Sequence, residues 1–157
     1  MNDSDRKAVA LMLATALAIP AEGLRQWAYY DPPGILTVCY GHTGDVVKGK
    51  HYSLEQCKAL LNTDMLNAVL TVERCAPGLS EKVLAAFADA VYNLGGRIVC
   101  SPKDSTVARF LRAGDIEAAC NQLPRWNKAT VGGFLIPLPG LTIRRAKEQA
   151  LCLEGLA

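Results

Sequence analysis

Apolar and polar residues follow two different periods along this chain, and the change of period divides it. Residues 8–21 (AVALMLATALAIPA) carry no charge and follow Arg6 and Lys7. This Ala/Leu-rich run predicts a buried helix over residues 4–19, capped by Asp3 or Ser4. Pro20 is expected to end or kink it near residues 16–19, because its ring displaces a carbonyl four residues back. Trp27 to Asp31 is aromatic, and Asp31-Pro-Pro-Gly34 reads as a turn. Ile35 to Tyr40 is β-branched and aromatic and predicts a strand. Gly41 to His51 is loop-like.

From Ser53 the spacing becomes helical. Apolar residues recur at Leu54, Cys57, Leu60, Leu61, Met65, Ala68 and Val69, with Ser53 as cap. Pro77-Gly78 breaks that helix. A second strong helix covers Ser80 to Asn93 and ends at Gly95-Gly96. Residues 105–123 read as two short helices parted at Ala113-Gly114. Val131 to Gly140 is loop-like, and Leu141 to Leu153 is a final amphipathic helix. Strands grouped apart from helices predict an α+β fold, not alternating βαβ units. A small β lobe at about 25–52 then lies between the N-terminal helix and a helical lobe at about 53–155.

Composition narrows the class. The 157 residues are 50% hydrophobic and 20% charged, an ordinary globular balance that fits one domain. Net charge is +2, from 17 basic and 15 acidic residues. That is too balanced for a protein that binds nucleic acid by neutralising many phosphates. The uncharged N-terminal run rises only about 21 Å as a helix, short of a hydrocarbon core of about 30 Å, so no stable membrane span is expected. Its basic-then-apolar order also resembles the first two regions of an export signal, without a clear small-x-small cleavage site. Both readings, a core helix and an aid to export, remain open on the sequence.

Six cysteines stand at 39, 57, 75, 100, 120 and 152, with only two histidines, His42 and His51. No pair has a metal-knuckle spacing, so no zinc site is expected. Dispersed in this way they fit either three disulfides in an oxidising compartment or six buried thiols.

One segment carries candidate chemistry. Glu22 follows the most apolar helix, where its carboxyl is expected to be partly desolvated. Asp31 lies nine residues later at a turn, in a more solvated setting. Thr37 follows on the return strand. Two carboxyls in contrasting environments are what glycoside hydrolysis needs, one to donate a proton and one to stay charged. Spacing alone would equally fit a helix-end residue and a turn residue.

The same residues resemble the tailed-phage lysozymes of glycoside hydrolase family 24. That family's pattern is Glu, eight residues, Asp, five residues, Thr, then a Gly-His pair. Glu22, Asp31, Thr37 and Gly41-His42 keep it without a departure. Tyr92-Asn93-Leu94-Gly95, Ser105-Thr106, Arg125-Trp126 and Gly140-Leu141-x-x-Arg144-Arg145 extend the likeness over residues 6–155.

The resemblance implies a two-lobed lysozyme-like fold with a cleft between the lobes, formed by a single catalytic domain. It implies a phage endolysin that hydrolyses the β-1,4 bond between N-acetylmuramic acid and N-acetylglucosamine in peptidoglycan. Glu22 would be the general acid, and Asp31 and Thr37 would hold the attacking water, with inversion favoured. No cofactor or metal is implied. Gly41, Tyr92, Thr106 and Asn121 match positions that line the saccharide cleft. His42 would be structural and pair with Asp64. Arg144 and Arg145 would either meet anionic wall polymer or form a solvated helix face. The partner would be peptidoglycan and the protein a monomer. It would be made in the host cytoplasm and act in the periplasm, exported through a holin or with help from residues 6–21. Two alternatives are a lytic transglycosylase and a non-catalytic wall-binding module. A periplasmic working site favours disulfides. The implied fold pairs Cys75 with Cys100, Cys120 with Cys152 and Cys39 with Cys57.

Overall fold

The computed structural model describes all 157 residues, in the order α1 (Asp3–Glu22), β1 (Arg25–Tyr30), β2 (Leu36–Cys39), β3 (His42–Thr43), α2 (Leu54–Cys75), α3 (Glu81–Leu94), α4 (Arg97–Cys100), α5 (Thr106–Ala113), α6 (Ile116–Gln122), β4 (Lys128–Val131), β5 (Phe134–Pro137) and α7 (Pro139–Glu154). The expected α+β class and the division into a β lobe and a helical lobe hold.

Helix α3 is the axis of the helical lobe. Every residue from Val83 to Val91 is buried, including Asp89. A helix that is apolar all round must be packed on all sides. Helices α1, α2 and α7 supply that packing. The buried face of α1 is Ala10, Ala14 and Ala18, spaced four apart. Four alanines of α3 (Ala85, Ala86, Ala88, Ala90) are buried as well. Small side chains on both helices let the two backbones approach closely. Helix α2 buries Cys57, Leu61, Met65, Ala68, Val69 and Val72 along one stripe. Its start is fixed by a capping box, in which the Ser53 hydroxyl accepts from the Gln56 amide and Gln56 Oε1 accepts from the Ser53 amide.

The β lobe is a three-stranded antiparallel sheet in the order β1-β2-β3. Tyr29 pairs with Thr37, and Thr37 pairs in turn with Thr43. The Asp31–Gly34 turn closes the first hairpin, with the Gly34 amide donating to the Asp31 carbonyl at 2.8 Å.

Three details differ from the sequence expectation. Helix α1 runs through Pro20 to Glu22, and Gly23 at φ 71° follows it. So close to the helix end, the proline removes a single backbone hydrogen bond, while the wholly buried Ala18 holds that last turn in the core. The cap of α1 is Asn2, whose side chain accepts from the Asp5 amide, and not Asp3 or Ser4. Residues 128–137, partly taken as loop, form the β4–β5 hairpin around Gly132-Gly133. Pro139 then opens α7 two residues before the expected start, in the first turn where a missing N–H is harmless.

All six cysteines are bonded, in the three expected pairs: Cys39–Cys57, Cys75–Cys100 and Cys120–Cys152. The first ties β2 to α2 across the two lobes. The second ties the end of α2 to α4, and the third ties α6 to α7. The buried-thiol alternative is thereby excluded. No group of histidines, cysteines and carboxylates is placed to hold a metal ion. No helix is long and apolar enough to cross a membrane.

Candidate active site

Glu22 is the last residue of α1, and the helix end delivers its side chain to the seam between the lobes. The carboxylate accepts from Arg144 Nη1 at 2.6 Å and is 19% exposed. The partial desolvation expected for Glu22 is present, and an ion pair with α7 accompanies it. Arg144 and Arg145 are 5% and 0% exposed, which corrects the expectation that they face solvent or wall polymer. They belong to the interior because buried carboxylates meet them there.

Gly41 forms the other wall beside Glu22. Its backbone lies at φ 79°, and a Cβ added there would stand 3.0 Å from Glu22 Oε2. Two residues earlier, Cys39 is also in the left-handed region at φ 63°. The chain thus turns sharply after β2, and the turn carries the Gly41 backbone against the carboxylate. Only glycine meets both demands without strain. Gly41→Ala is expected to lower lytic activity by at least about tenfold, because the added methyl displaces the Glu22 carboxylate. Activity on purified peptidoglycan, read beside thermal unfolding, checks this.

Tyr92 on α3 completes this side. Its hydroxyl donates to the Tyr40 carbonyl. Burial, and after it the negative field of Glu22, pushes its ionisation well above the ordinary phenol range. Tyr92 and Gly41 line a cleft of about 290 Å³ between the lobes, with Thr43, Asp64, Asn67 and Thr71 among its other walls. Short hydroxyl, amide and carboxylate groups beside one aromatic ring suit a sugar chain. Asn67 and Thr71 were not singled out in the sequence, although both lie one helical turn apart on α2 and so share its cleft face.

The second carboxyl is held differently. Asp31 Oδ1 accepts from the Ile35 amide at 2.8 Å. The buried Thr37 hydroxyl lies 2.9 Å from the Ile35 carbonyl and 3.4 Å from Asp31 Oδ2. The pair is therefore pre-set by the hairpin itself, and its charged member is half-exposed while its hydroxyl is buried. The β1–β2–β3 ladder joins this pair to Gly41, since Thr37 faces Thr43 next to the Gly41-His42 turn.

His42 ties that turn to α2. Its Nδ1 lies 2.6 Å from Asp64 Oδ2, and its Nε2 lies 3.1 Å from the Gly44 carbonyl. The expected structural pairing is present. The structure therefore gathers Glu22, Gly41 and Tyr92 at one place, and Asp31 and Thr37 at the end of the same sheet. Thr106 lines a separate depression with Lys103, Asp104, Arg109, Arg125 and Trp126, and donates to Gln122. Asn121 is exposed on α6 and accepts from Gln149.

Behind Glu22 lies a buried charge cluster that the sequence did not reveal. Arg144 donates through Nε and Nη2 to the two oxygens of Asp89, at 2.9 and 2.7 Å. Arg145 donates to Glu148 and to Asn93, both at 2.8 Å. Burial weighs against charge on Arg144, yet the hydrogen bonds and field of Asp89 and Glu22 outweigh it and raise its pKa. Burial, and then its hydrogen bond with Asp89, pushes Glu148 well above the ordinary carboxyl range.

The Phage lysozyme family matches residues 20–148. The SAR-endolysin of bacteriophage PS119 is 40% identical over 136 residues, covering 85% of this chain and 77% of that protein. The active form of the P1 phage endolysin Lyz superimposes with a TM-score of 0.79 at 25% identity, over 96% of this chain and 93% of the other. The muramidase domain of SpmX from Asticaccaulis excentricus superimposes with a TM-score of 0.78 at 29% identity, over 92% and 94%.

Proposed function

The chain belongs to the phage lysozyme family, and on that premise we propose that it is a phage endolysin and muramidase. It hydrolyses the β-1,4 bond between N-acetylmuramic acid and N-acetylglucosamine in peptidoglycan and so lyses the host cell. The observation that carries this reading is the placement of Glu22 at the seam of the lobes beside Gly41 and the cleft. The muramidase and endolysin neighbours support it.

Glu22 is the general acid. As the bond between the anomeric carbon and the bridging oxygen breaks, its proton passes to the leaving oxygen. Asp31 and Thr37 hold a water, whose oxygen attacks the anomeric carbon while Asp31 takes up its proton. The Asp31 carboxylate also stabilises the positive charge that builds on the sugar ring. Support for this division of roles comes from the exposure of Asp31 to solvent and from the buried, fixed hydroxyl beside it. Gly41 and Tyr92 take the saccharide in the cleft. Thr106 and Asn121 extend the contact surface on the helical side. Residues 1–157 act as one catalytic domain and as a monomer. Net charge near balance speaks against a nucleic-acid partner.

The protein is made in the host cytoplasm and exported to the periplasm, a reading supported by its three disulfides and by the SAR-endolysin relative. Asp31→Asn is expected to lower peptidoglycan hydrolysis by about 10²–10³-fold with the fold retained. Full activity of that variant would instead favour the transglycosylase, which needs no water site.

A further inference from the structure

The charge cluster behind Glu22 holds two guanidiniums, Arg144 and Arg145, and three carboxyls, Glu22, Asp89 and Glu148. Asp89, Arg145 and Glu148 are wholly buried, and Arg144 nearly so. A low-dielectric site disfavours net charge. Burial, and after it the hydrogen bond with Asp89, pushes the Glu148 carboxyl well above its ordinary range. Arg144 bridges Glu22 and Asp89, while Arg145 faces Glu148.

The bridge to Arg144 creates a difficulty for an acid catalyst. A cation in contact favours the ionised form of a carboxyl, whereas Glu22 must hold a proton to donate it. Arg144 lies 2.6 Å from Glu22. It is not free to act on Glu22 alone, because Asp89 occupies Nε and Nη2 and leaves Nη1 for Glu22. A bidentate guanidinium–carboxylate fork fixes orientation as well as charge. Asp89 gives both its oxygens to Arg144, and a charged residue in the middle of an otherwise apolar helix is costly without such a partner.

We propose that Asp89 is the positioning residue for the acid: it clamps Arg144 so that one guanidinium nitrogen aims at Glu22, and its charge offsets that of Arg144 so that Glu22 can carry its proton. This rests on the assignment of Glu22 as general acid and names what tunes it. The other charged and titratable groups around Glu22 are Tyr92 and Asp64 on the cleft side, and Glu148 and Arg145 behind Arg144. None of them forks onto Arg144 as Asp89 does.

The test is the pH profile of hydrolysis of soluble peptidoglycan fragments by wild type and Asp89→Asn. Loss of the negative charge leaves Arg144 acting more strongly on Glu22. The proton on Glu22 then survives only to lower pH. The alkaline limb of kcat is expected to move about one pH unit toward acid. At the wild-type optimum kcat falls about tenfold while KM stays within about twofold. A superimposable limb, or a loss confined to KM, overturns the proposal. If Asp89→Asn does not fold, Arg144→Gln and Arg144→Gln/Asp89→Asn carry the same test. The limb with Asp89 present must lie alkaline of the limb without it, and coincident limbs overturn the proposal. Glu22→Gln, run in parallel, separates the two levels. Substantial activity in that variant removes the assignment of Glu22 itself, whereas an inactive Glu22→Gln beside an unmoved Asp89→Asn limb removes only the role of Asp89.

Discussion

Glu22→Gln abolishes the lysis of cell-wall material and leaves the fold intact. Glutamine keeps the shape of the side chain at the end of α1, and its carbonyl oxygen can still accept from Arg144 Nη1, which now lies 2.6 Å from the carboxylate. What it lacks is a transferable proton. The leaving sugar oxygen must then depart as an alkoxide, which costs about 10²–10⁴-fold where general acid catalysis is the main contribution. The loss should fall on kcat, because the saccharide contacts proposed for Gly41 and Tyr92 remain. Arg144 keeps its fork to Asp89, so no buried cation is orphaned. Turbidity loss of purified peptidoglycan, read with the thermal midpoint of the same preparations, checks both halves of this expectation.

The second large effect is on stability. The three disulfides span 18, 25 and 32 residues. Closing loops of that size restricts the unfolded chain by about 3 kcal/mol each. Together they rival the whole stability of an ordinary domain, about 5–15 kcal/mol. The oxidised protein is therefore expected to melt cooperatively, and reduction should lower its midpoint by about 20 °C or more. Circular dichroism with and without a thiol reductant, with free thiols counted after each scan, measures this. A fully reduced chain that melts within a few degrees of the oxidised one would show that the core alone sustains the fold. Among the three, Cys39–Cys57 bears most directly on activity. It holds β2 to α2 immediately before the turn that brings Gly41 to Glu22.

These expectations draw on features of unequal visibility in the sequence. Helices α2 and α3 are legible because their apolar spacing, their serine caps and their glycine or proline stops agree with one another. Glu22, Asp31 and Thr37 are legible because the family pattern places a turn and a return strand between them. The β4–β5 hairpin is not, since its strands are short and its outward residues Phe134 and Leu135 are exposed, leaving no alternation to read. Pro20 misleads for a related reason. A local rule about proline competes with burial of Ala18, and burial prevails.

The cluster behind Glu22 marks the limit of a linear reading. Asp89 and Arg144 are 55 residues apart in the chain, and Glu22 is 122 from Arg144. A buried arginine cannot be told from an exposed one until the carboxylates that meet it are in place. The amphipathic pattern of α7 puts charged residues on its apparent outer face. In the structure, Arg144, Arg145 and Glu148 of α7 are its buried side, together with Cys152. Their burial is what allows α7 to hold the end of α1 and so to fix Glu22.

The most direct measurement of the central claim is mass analysis of the sugars released from purified peptidoglycan. Hydrolysis adds one water across each broken bond, so the account predicts muropeptides that end in reducing N-acetylmuramic acid. They should be absent with Glu22→Gln. Release of 1,6-anhydro-muramic ends instead, or no release by the wild-type protein, would contradict it.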